Sequence, residues 1–102
     1  MEEVRAGDRF VTTEAIHTHA LTHWRAPVTL GFETVIPKGT VLVAPYDAVP
    51  TAPGFACVPE SYDELEAALV PEADRTAPKY DGFSFVLLRT EIGRRLRRLP
   101  VT

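Results

Sequence analysis

Two β-favouring runs, residues 28–36 and 40–44, stand with only Pro37-Lys38-Gly39 between them. Pro37 presets φ at about −65°, and Gly39 can take the positive φ that a tight reversal needs. The pattern predicts a β-hairpin turning at Ile36 to Thr40. On the second run Val41 and Val43 share one face, with Leu42 and Ala44 on the other. Both faces are apolar, which predicts a strand covered on both sides.

The remaining elements follow from local chemistry. Residues 45–54 carry Pro45, Pro50, Pro53 and Gly54 and read as a loop. Residues 55–58 suit a short strand. Ser61-Tyr62-Asp63-Glu64 fits a capping box, so a helix is expected from about Tyr62 to Val70, with Leu65 and Leu69 inward and Pro71 as its stop. Residues 71–79 read as a loop. Residues 83–88 read as a strand with Phe83, Phe85 and Leu87 on one face. Thr90 can cap a short helix in which Ile92, Leu96 and Leu99 align. Residues 8–24 are rich in β-branched side chains, which favours strands broken near Glu14-Ala15. The order β-β-β-β-α-β-α predicts an α+β fold: a small antiparallel β-barrel or β-roll of about five strands with two short helices.

With 102 residues, 45% hydrophobic and 25% charged, the chain is expected to be a single domain over residues 1–102. No apolar stretch approaches the roughly 18 residues of a membrane span. The acidic start, Met1-Glu2-Glu3-Val4-Arg5, lacks the basic and apolar regions of a signal peptide. Cys57 stands alone and has no intramolecular partner, which suits a reducing compartment. A cytoplasmic location is expected. Arginine greatly outnumbers lysine, as in chains from GC-rich bacterial genomes. Cys57 itself suits either a buried apolar role or that of a nucleophile or metal ligand, and burial is the commoner fate of a free cysteine.

His17, His19 and His23 are the whole histidine complement and fall within one short segment. On a strand, His17 and His19 share a face about 7 Å apart, and His23 lies about 20 Å from His17. A catalytic zinc site uses three protein ligands, so the third would come from Glu14, Glu33 or Cys57. His17-Thr18-His19 followed by Gly31 to Gly39 resembles fragments of the cupin pattern, an H-x-H motif with a later G-x5-P-x-G motif. Membership would imply a metal-dependent enzyme or metal sensor using this histidine cluster, with a divalent cation such as zinc as cofactor. His23 stands where that pattern has a glutamate, Leu42 where it has a histidine, and the gap between motifs is short. The pattern therefore assigns nothing by itself.

The net charge of −3 argues against general nucleic-acid affinity. The cluster Arg94, Arg95, Arg97 and Arg98 is nevertheless a candidate phosphate contact, against the plainer role of a solvated face. No catalytic triad, phosphate loop, dinucleotide-binding glycine pattern or C-x-x-C is present. Trp24, Tyr46, Tyr62 and Tyr80 lie at element edges, where amphipathic aromatics can form a partner surface. The expected function is a non-catalytic binding or protein-interaction module, with a protein partner or a second copy of itself. A metal site at the histidines and nucleic-acid contact through the arginines are the alternatives.

Overall fold

Each β-favouring run forms a strand, and the strands join edge to edge. The computed structural model describes residues 2–100. In chain order the elements are β1 (Arg9–Thr12), β2 (Ile16–Trp24), β3 (Val28–Ile36), β4 (Val41–Val43), β5 (Gly54–Pro59), α1 (Tyr62–Leu69), α2 (Glu72–Arg75), β6 (Tyr80–Leu88) and β7 (Leu96–Arg98). The strands pair antiparallel in the order β3-β2-β6-β5-β4-β1-β7. The result is an α+β fold with one seven-stranded antiparallel sheet. That sheet is open: β3 and β7 are its two edges, and the strand order does not close it into a barrel.

One buried cluster draws on both halves of the sheet. Phe10, Ile16, Ala20, Ile36, Leu42, Phe55, Cys57, Phe83, Phe85, Leu87 and Leu96 are all buried in it. The rings of Phe10 and Phe55 approach to 5.6 Å, and Phe83 meets Phe85 edge-on at 5.4 Å. The strict alternation of β6 and β5 sends Phe83, Phe85 and Leu87, with Phe55 and Cys57, to this inner side. Helix α1 lies against the same side: the Tyr62 ring packs at a tilt against Phe83, centroids 4.9 Å apart, and its hydroxyl accepts a hydrogen bond from the Phe83 amide at 2.8 Å. Gly82 has φ +106°, and a Cβ there would stand 2.7 Å from the Tyr62 hydroxyl, so this site requires glycine twice over.

The hairpin expected at Ile36 to Thr40 does not form. β3 pairs only with β2, whereas β4 lies between β1 and β5. The reversal chemistry is used for a crossing between the two halves of the sheet. Gly39 takes φ +84°, and its amide donates to the Thr12 carbonyl at 2.8 Å. The buried Thr12 hydroxyl donates to the Pro37 carbonyl at 2.7 Å and accepts the Thr40 amide at 2.9 Å. β4 is central, with Leu42 and Ala44 buried and Val41 and Val43 half-buried.

The expected C-terminal helix is also replaced. A single 3₁₀ turn, Arg89–Glu91, leads to Gly93 at φ +90°, after which Leu96–Arg98 pairs with β1 as β7. A left-handed glycine and an unpaired sheet edge together outweigh the helical spacing of Ile92, Leu96 and Leu99. Helix α1 ends before Pro71 as expected, but Ser61 makes no side-chain cap bond, so the capping box is not closed. The stretch expected as a loop at 71–79 contains the single turn α2. Among the described residues no helix is long and apolar enough to cross a membrane.

Candidate functional site

The alternation of β2 sends Ile16, Ala20 and Thr22 inward and His17, His19, Leu21 and His23 outward. All three histidines therefore share one face. His19 stands directly opposite Glu33 of β3, and His17 opposite Val35. His17, His19 and Glu33 line a shallow hollow of about 250 Å³. His23 is drawn away, its Nε2 at 2.9 Å from the Ser84 hydroxyl. Of the other suggested ligands, Glu14 faces Arg95 at 3.9 Å and Cys57 lies inside the core. Among the described residues no three His, Cys, Asp or Glu side chains stand close enough together to hold a metal ion.

Three of the four edge aromatics converge. Trp24 meets Tyr80 edge-on at 5.6 Å, and the Tyr80 hydroxyl donates to Glu66 Oε2 at 2.8 Å. Tyr62 joins this group through its hydroxyl, which has the Tyr80 hydroxyl and Glu66 as hydrogen-bonding neighbours. Burial, helped by the neighbouring Glu66, pushes the Tyr80 hydroxyl far above the ordinary tyrosine range, and burial raises Tyr62 in the same direction. Both are held as neutral hydrogen-bonding groups. Tyr46 stands apart on the loop after β4, 61% exposed.

The arginine cluster is largely engaged within the chain. Arg94 and Arg95 face the buried Glu91 at 3.9 and 3.7 Å. Arg98 bonds Asp8 at 2.8 Å and covers the ring of Phe10 at 5.1 Å. Arg97 is exposed. The four do not form one helix face, because their segment is a turn and a strand.

Cys57 is fully buried, and that burial drives its thiol well above the ordinary value of 9.0. A thiol so placed is neither nucleophile nor ligand at neutral pH. Ellman's reagent is expected to leave it untouched in the folded protein at pH 8 and to titrate it fully in urea. The unfolded chain ionises this thiol first, so the stability it contributes is present below about pH 9 and is lost as pH rises beyond that. Tyr62 and Tyr80 add to the same decline above about pH 10. Urea midpoints measured from pH 8 to 11 should therefore fall, less steeply from pH 9 in Cys57→Ala. A flat profile would contradict the assigned burial.

The feature that the motifs did not reveal is the edge strand itself. β3 pairs with β2 at every position from Val28 to Ile36 and leaves its other side free. Its inner-facing residues are Val28, Leu30, Phe32, Thr34 and Ile36. Ile36 is buried in the core, but Val28 and Leu30 reach past it and are 46% and 56% exposed. They continue the apolar surface of Trp24, which lies opposite Val28, and of Tyr80. Residues 28–36 carry one charge, Glu33, a composition that suits a central strand as well as an edge, so the pairing alone shows the free side. Compared with known proteins, the chain matches no family model, no curated protein and no solved structure.

Proposed function

We propose that this domain is a non-catalytic protein-interaction module that docks through the β3 edge, with Trp24 and Tyr80 flanking the contact. The observation that carries this reading is the long free edge bearing Val28 and Leu30. Strand addition gives main-chain hydrogen bonds for affinity, and alternate side chains give selectivity. The apolar residues beside that edge supply the hydrophobic contact that polar edges lack. A photoreactive p-benzoylphenylalanine at position 30, expressed in cells, tests it. A discrete cross-linked adduct is expected from position 30 and none from Asp63 on α1. No adduct at position 30, or the same products from both positions, sinks the reading.

A second reading rests on the cross-strand placement of His17, His19 and Glu33. These three exposed side chains would have to swing together to hold a divalent cation such as zinc, as a His₂Glu set. Added zinc should then raise the melting temperature by mass action, and His19→Ala should abolish the rise. No stoichiometric zinc and an unchanged melt remove this reading.

A further inference from the structure

We infer that the partner on this edge is a second copy of the chain, joined by antiparallel pairing of β3 with β3 about a two-fold axis at Leu30. This rests on the interaction reading above and names its partner.

The two edges of the sheet are built differently. β7 is three residues long, Leu96-Arg97-Arg98, with Pro100 soon after. Short, cationic edges resist pairing. β3 is nine residues long, pairs with β2 without a bulge, and contains one charge, Glu33. It offers about 30 Å of free edge. It lacks the lysine, proline or bulge that guards natural edges.

The arrangement of the copies follows from closure. β3 docked on the β7 of another copy is a head-to-tail contact, which leaves a fresh β3 free and propagates. It would also overlap only three residues and set an apolar strand against Arg97 and Arg98. β3 on β3 uses both free edges and stops at two subunits.

Register follows from the side chains. A two-fold at Leu30 sets Leu30 opposite Leu30 of the second copy, Val28 opposite its Phe32, and Thr29 opposite its Gly31. The most exposed apolar residues of β3 then cover each other. Glu33 comes opposite Pro27 of the second copy, at the turn between β2 and β3, so the two Glu33 carboxylates lie at opposite ends of the seam and do not oppose each other. A two-fold at Phe32 would instead set Leu30 against Thr34 and bring the two Glu33 carboxylates within diagonal reach, where like charges repel.

The test uses the full chain. Light scattering should give twice the 11.3 kDa chain mass at tens of micromolar. Leu30→Glu, which would set two carboxylates directly opposite each other at the two-fold, should weaken the dimer at least about tenfold. Residues directly opposite have Cα atoms about 5 Å apart, inside the disulfide window. Under mild oxidation Leu30→Cys should therefore become a covalent dimer, whereas Phe32→Cys and Thr34→Cys should not. A monomer at several hundred micromolar, cross-linking through position 32 in place of 30, or a Leu30→Glu dimer as tight as the parent would overturn the inference. A monomer whose position-30 photoprobe captures one different chain ends self-pairing and leaves the interaction module standing. A monomer with no adduct ends both.

Discussion

Replacing Phe85 with alanine should cost about 3–5 kcal/mol, the upper range for loss of a buried aromatic ring. Phe85 is fully buried and sits on β6, between β2 and β5. Its neighbours across the sheet are Ala20 on one side and Cys57 on the other, both too small to fill the space left behind. Strand pairing on both flanks keeps the backbone from collapsing into the void, so both the transfer loss and the cavity loss are felt. A domain of this size typically has only about 5–15 kcal/mol of stability. The variant should therefore unfold at a much lower urea midpoint with an unchanged slope. Leu30→Ala is the matched control, because Leu30 is 56% exposed and its loss should move monomer stability by no more than about 0.5 kcal/mol. A Phe85→Ala loss below about 1 kcal/mol would mean that the inner side of β6 is not the centre of the core.

Local chemistry identified most elements, and tertiary pairing decided the rest. The β-branched content of residues 9–24 gave two strands, and the break at Glu14-Ala15 falls between them. Pro71 marked the end of α1, and the alternation of Phe83, Phe85 and Leu87 marked the buried face of β6. What the residues could not reveal was which strand lies beside which. Pro37 and Gly39 make the same turn whether the chain folds back on β3 or crosses to the other half of the sheet. Thr12, far away in sequence, supplies the bonds that select the crossing. The same limit applied to the candidate site. Alternation alone put His17 and His19 on one face, but the β2–β3 register is needed to set Glu33 opposite His19. It is also needed to show β3 as a free edge, since a nearly uncharged strand reads identically whether central or exposed. Trp24, Tyr62 and Tyr80 are widely separated in sequence, so their convergence depends on β2, α1 and β6 meeting at one end.

Arg89, at the end of β6, is only 5% exposed and should prove one of the most costly positions to change. Its Nε donates to the Ala52 carbonyl at 2.8 Å, one Nη donates to the Val49 carbonyl at 2.5 Å, and the other donates to the Glu2 carbonyl. One planar fork thus ties the N-terminal segment and the loop after β4 to the end of β6, a geometry that an ammonium cannot reproduce. No ion pair to Arg89 occurs among the described residues, so carbonyl dipoles carry the compensation for its burial. Hydrogen bonds to a charged group contribute about 1.5–3 kcal/mol each. The hollow of about 540 Å³ beside Arg89 lets water replace part of them. Arg89→Met, which keeps the apolar stem and removes every donor, should then cost about 2–4 kcal/mol by urea unfolding. Arg89→Lys should recover less than half of that. Hydrogen exchange should locate the damage, with amides such as Ala48 and Ala52 losing protection well before those of β6. Equal midpoints for Arg89→Met and the parent protein would mean that water serves these carbonyls as well as the guanidinium does, and that the loop is held by other bonds, such as that from the Ala48 amide to the Val4 carbonyl at 2.9 Å.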